Sequence, residues 1–132
     1  MYQRSKLTAL ALFLGVFFLW AQGANVAGKW SGIILIDDPG SGDKIETPVE
    51  LDLVQNGAAL AGKIGRAGDP ERVDIRNGKM EGNLVTFEAS SVEVAASMRF
   101  SLTVEGERLK GEMRGSAEGN DIVAKVTLSR VK

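Results

Sequence analysis

The chain has 132 residues, with 16 Lys and Arg against 17 Asp and Glu, and neither His nor Cys. Charge this close to balance, spread without blocks of one sign, leaves no electrostatic footprint for nucleic acid or for an anionic membrane surface. The missing residue types exclude imidazole bases, thiol nucleophiles, disulfides, His or thiolate metal sites and ordinary haem ligation.

The first 23 residues combine a basic start (Arg4, Lys6), an apolar run from Leu7 to Trp20 and a small-residue ending of Ala21, Gln22 and Gly23. This pattern predicts a signal-peptide helix over residues 1–23, cleaved after Gly23, and an exported protein, periplasmic or extracellular. The apolar run is shorter than the roughly 20 residues of a membrane span, so no span is expected after cleavage. A lipid anchor would need a Cys at the cleavage site. Residues 24–132 form one domain by size, able to bury roughly 65% of its unfolded surface. Without Arg4 and Lys6 this part keeps 14 basic residues against 17 acidic ones.

From Gly28 onward apolar residues recur at every second position and turn signals interrupt them, which predicts an all-β domain of about eight short antiparallel strands and no helix. The strands are expected at Gly28 to Asp37, Thr47 to Gln55, Ala58 to Arg66, Glu71 to Glu81, Leu84 to Ala89, Ser97 to Val104, Glu107 to Arg114 and Asp121 to Val131. Side chains two apart share a face. Val49, Leu51 and Leu53 thus oppose Glu50 and Asp52, while Met98, Phe100, Leu102 and Val104 oppose Arg99, Ser101 and Thr103. One face is apolar and the other charged, the reverse of a lipid-facing barrel.

Asn56-Gly57, Gly82-Asn83 and Glu105-Gly106 read as tight two-residue turns. Longer connections are expected at Asp38 to Glu46, Ala67 to Pro70, Ser90 to Ala96 and Gly115 to Asn120. In an up-and-down meander the two kinds collect at opposite ends, a sealed floor and an adaptable mouth. Asn77-Gly78 falls inside the fourth strand and predicts a bulge or break there.

A sheet with one apolar face and no helix to cover it must curl on itself or fold into two layers. Closure into a small barrel also removes both edges, and inner-parity glycines (Gly28, Gly32, Gly62, Gly111) suit bent staves. In a closed meander the last strand runs beside the first and brings Arg130 level with Trp30, both of inner parity. These two are expected to form the barrel floor, with the cation over the indole.

Gly28-Lys29-Trp30 resembles the G-x-W of lipocalins, and Arg130 resembles their Trp-covering arginine. The size and the Leu-x-Gly hairpins are closer to avidin-like barrels. Gly28-Lys29-Trp30-Ser31-Gly32, Leu60-Ala61-Gly62-Lys63-Ile64, Asn77-Gly78-Lys79-Met80-Glu81-Gly82 and Val85-Thr86-Phe87 together resemble a group of small exported bacterial barrels of unsettled function. The resemblance implies a lipocalin- or avidin-like (calycin-type) β-barrel over residues 24–132. It implies no activity, since its motifs serve turns and packing. The segment after the signal peptide has one Trp, no Tyr and almost no inward polar residue, which disfavours biotin, and the helix that follows the last lipocalin strand is missing.

Catalytic candidates are weak. Asp37, Asp38 and Asp43 are hard-cation ligand types, but their spacing is not that of an EF-hand and Asp38-Pro39-Gly40-Ser41-Gly42 reads as an ordinary turn. The carboxylates fall on outer parity or in loops, where no glycosidase pair is set up. Ser129 and Lys125 share the outer face with no oxyanion donor apparent. No enzyme activity, metal or cofactor is expected. The inner stripe of Ile34, Ile36, Leu51, Ile64, Val73, Phe87, Met98, Phe100, Met113 and Ala124 is the candidate ligand wall. An eight-stranded barrel is either filled by its own side chains or holds one small ligand, and both readings stand at this level. The first function is a monomeric module taking a small lipophilic molecule. The alternative is a packed barrel that contacts a protein or polysaccharide through its loops.

Overall fold

The computed structural model describes residues 24–37, 42–91, 96–117 and 119–132. The expected signal peptide, Asp38 and the centre of the Ser90 to Ala96 loop lie outside the described residues. Nine strands form one antiparallel sheet: β1 (Gly28–Asp37), β2 (Lys44–Asn56), β3 (Ala59–Arg66), β4 (Val73–Asp74), β5 (Arg76–Glu81), β6 (Leu84–Ser91), β7 (Ala96–Glu105), β8 (Arg108–Ala117) and β9 (Asn120–Arg130). Both β4 and β5 pair with β3, as consecutive pieces of one stave. β9 returns to β1 from Trp30↔Arg130 to Ile36↔Ala124. The sheet is therefore a closed eight-stave meander barrel.

Strict alternation explains the closure. On β2, Val49, Leu51 and Leu53 are buried while Asp52 and Val54 are exposed; on β9, Ala124, Val126 and Leu128 are buried while Lys125, Thr127 and Ser129 are exposed. A one-residue slip would exchange the faces, so burial itself fixes the register. Among the described residues no polar or charged residue is buried and no buried side-chain polar atom lacks a partner. Phe87 and Phe100 lie directly across β6 and β7 and stack with centroids 4.6 Å apart, a pair worth about 0.5 to 1.5 kcal/mol beyond its area.

Two expected turns are displaced by one residue. Asn56 pairs with Ala59 and Glu105 with Arg108, so the turn pairs are Gly57-Ala58 and Gly106-Glu107, alongside Gly82-Asn83 as expected. All three place Gly first, at φ 63°, 62° and 59° respectively, and no positive φ at the second residue. That is the type II′ pattern, whose twist matches the flanking strands. The fourth stave breaks at Ile75 and slips register between Arg76 and Lys79, where Asn77 takes φ 53°, so the expected irregularity is present.

Other boundaries differ from expectation. β2 begins at Lys44 because Lys44, Ile45 and Glu46 complete the ladder against Leu35 to Asp37. β8 continues through Gly115 and Ser116, small residues that read as loop but pair with Met98 and Ser97. The β8–β9 connection then spans only two residues, since Ala117 pairs with Asn120. The mouth end thus carries one short connection besides its longer ones. Two of the inner glycines stand where the staves bend closely against one another, as expected. A Cβ at Gly32 would fall 1.9 Å from Thr127 O and one at Gly111 1.9 Å from Ser101 O. The neighbouring backbone already occupies that space, so these glycines permit bending and leave no room for a ligand.

Candidate functional site

The floor is built first, because it decides which end can open. Trp30 is fully buried, and the Arg130 guanidinium carbon lies 4.4 Å from its ring centroid. That guanidinium also donates to Ala27 O at 2.7 Å and Asn25 O at 2.8 Å, and its Nε meets Glu107 Oε2 at 2.9 Å. One cation thereby ties the first strand, the last strand, the β7–β8 turn and the segment 24–27 together.

That segment lies before the first strand expected from the sequence. Val26 is fully buried in the core cluster. Its N–H donates to Gln55 Oε1 at 2.8 Å, and its carbonyl accepts the Trp30 indole N–H at 2.9 Å. The Gln55 amide in turn donates to Ala24 O and Gly57 O, both at 3.1 Å. Residues 24–27 are therefore a stopper across the tight-turn end. Gln55 shares parity with Leu51 and Leu53, and an inward amide on an otherwise apolar stretch is the signal that could have announced it.

At the opposite end lies a cavity of about 1170 Å³. Of the expected wall, Ile34, Ile36, Ile64, Val73, Met98, Phe100 and Met113 line it, together with Val49. Leu51, Phe87 and Ala124 are buried but are not among its lining residues, although each pairs with one that is: Ile64, Phe100 and Met113 respectively. The stripe is thus divided between residues that face the hollow and residues buried among their neighbours.

The expectation of an almost wholly apolar interior needs correction at the rim. Thr47 and Arg66 carry inner parity, on Ile45-Thr47-Val49 and Leu60-Gly62-Ile64-Arg66, and both line the cavity. Lys63, Gly65, Asp69, Glu71 and Arg72 line it as well, because it spills over the β3 edge onto the 67–72 connection. Arg72 crosses Gly65, where a Cβ would stand 2.8 Å from its Cδ, and meets Glu50 Oε2 at 2.6 Å. This strap holds the 67–72 connection against β2. Lys63 meets Asp74 at 3.5 Å, and the Asp69 carboxylate accepts the Glu71 N–H at 2.9 Å.

The residues weighed for catalysis are not brought together. Ser129 and Lys125 stand exposed on the outer face of β9, and Asp37 and Asp43 are exposed near the first connection. Among the described residues no group of three or more carboxylates is placed to hold a metal. In comparison with known proteins, no family model matches this chain and no curated protein matches it.

Proposed function

We propose that this barrel is an exported, non-enzymatic and monomeric binding module that takes a small lipophilic molecule into its mouth cavity. The observation that carries the reading is the open hollow at the mouth, about 1170 Å³, which runs from Ile, Val, Met and Phe of the inner wall out over the charged 67–72 connection. Ligand pockets typically occupy about 300 to 1,000 Å³ and are mostly apolar with a few convergent polar groups. Met98 and Met113 suit a wall that adapts to its guest. The closed meander, the Trp30 and Arg130 floor and the small size are also those of lipocalin- and avidin-type barrels and of the small exported bacterial barrels that the sequence resembles. The alternative, a packed interaction barrel, needs an interior filled by its own side chains, and the cavity counts against it.

Titration calorimetry and native mass spectrometry against a panel of fatty acids and aromatic compounds test the proposal. Saturable one-to-one binding is expected, and Met98→Trp, which fills the mouth, should weaken it at least tenfold while the barrel stays folded. Failure of the whole panel to bind, or indifference to Met98→Trp, refutes it.

A further inference from the structure

Charged residues around the mouth form two ion pairs, and among the described residues one lining cation enters neither, beside the lining carboxylates of Asp69 and Glu71. Arg72 is held by Glu50, and Lys63 by Asp74. The Asp69 carboxylate accepts the Glu71 N–H. Arg66 also lines the cavity, yet no ion pair or side-chain hydrogen bond engages it among the described residues. Its position is fixed by the sheet: Arg66 pairs with Val49, itself a buried wall residue, and stands one inner-parity step above Ile64. Its carbonyl accepts the Asp69 N–H at 3.1 Å, and the next residue, Ala67, donates to Pro48 O at 3.0 Å. The base of the side chain is therefore anchored at the lip. The exposed guanidinium of Arg66 enters no ion pair or side-chain hydrogen bond among the described residues and shares the cavity lining with Ile34, Ile64, Met98 and Phe100.

Resting on the reading of the cavity as a ligand site, we infer that its ligand is a single-chain amphiphile with an anionic head, the tail against that wall and the head in the Arg66 fork at the lip. A planar guanidinium matches a carboxylate or phosphate with two parallel hydrogen bonds. The lip is wet, so the head adds preference while the tail supplies affinity.

Three probes of equal chain length separate the terms: dodecanoate, dodecanol and dodecylamine, each titrated calorimetrically below its aggregation concentration. Dodecanoate is expected to bind about three- to tenfold more tightly than dodecanol, with dodecylamine weakest, and the gap should shrink at 1 M salt, where the screening length is about 3 Å. Arg66→Gln, an exposed change, should bring dodecanoate down to the level of dodecanol and leave dodecanol unmoved; Arg66→Lys should restore part of the preference. Equal binding of dodecanoate and dodecanol, or tightest binding of dodecylamine in answer to Asp69 and Glu71, overturns the head-group inference and leaves the cavity reading intact. Binding of none of the three overturns both.

Discussion

Truncating Arg130 to Ala tests the floor most sharply, because four separate contacts end on one side chain. The guanidinium lies 4.4 Å from the Trp30 centroid, a contact worth about 1 kcal/mol when partly desolvated. Its bonds to Ala27 O and Asn25 O are charge-assisted, and the side chain is only 26% exposed, so each contributes about 1 kcal/mol. The pair with Glu107, whose side chain is 66% exposed, adds at most about 0.5 kcal/mol. Arg130→Ala should therefore destabilise the barrel by about 3 kcal/mol, a substantial share of the roughly 5 to 15 kcal/mol typical of a domain. Near 100 residues this lowers Tm by about 12 °C. Urea unfolding followed by far-ultraviolet circular dichroism measures it, with Glu107→Gln alongside. Glu107→Gln should cost no more than about 0.5 kcal/mol. Equal effects of the two variants would refute the view that Arg130 clamps segment 24–27 and Trp30, leaving it a surface ion pair.

Trp30→Ala removes a fully buried indole and strands the carbonyl of Val26 that accepts its N–H; a loss of about 3 to 5 kcal/mol is expected, and an unchanged melting temperature would show that Trp30 is no floor. Gly111→Val drives a Cβ to 1.9 Å from Ser101 O, so β7 and β8 must separate. Amide exchange should accelerate along both strands, and unaltered protection there would contradict the bend. The hydrogen bond that the Asn77 side-chain amide donates to Glu88 at 2.6 Å, with Arg99 and Arg76 adding to it, holds the Glu88 carboxyl below the usual carboxylate range. A lowered folded-state pKa gives stability that is present above the unfolded value, about 4.3, and lost as pH falls through the folded value. Glu88→Gln should flatten that acid limb, and identical pH profiles for variant and parent would refute the assignment.

The fold is legible because its decisive signal is local and repeated. Alternation through Met98, Phe100 and Leu102 states which face is buried, and closure then places Arg130 beside Trp30 without further assumption. Asn77-Gly78 marks its irregularity in the same way, as a turn signal inside a strand. Turn register is harder to read. Asn56-Gly57 and Gly57-Ala58 both offer Gly a positive φ, and only the pairing of Asn56 with Ala59 decides between them. Strand ends fail for a related reason. Gly115 and Ser116 have loop-like composition, and their partners on β7 hold them extended. At the site, the apolar half of the wall follows from parity. Arg66 carries the same parity, but a cation at a strand end is equally suited to solvent, so its place at the lip comes from the structure. Residues 24–27 have too few alternating positions to signal anything, and their burial depends on Gln55, about thirty residues away.

The pairing of β1 with β9 has a consequence for how the molecule comes into being. The ring is completed by β9, and until Asn120 to Arg130 arrive both β1 and β8 present open ladders. Trp30 lacks the Arg130 cation over its ring, and residues 24–27 lack the bonds that Arg130 donates to Asn25 and Ala27. Two of the ladders are thus deferred to a single closing event, one of them joining residues about a hundred positions apart. A nascent chain released short of β9 lacks the stave that joins β8 to β1.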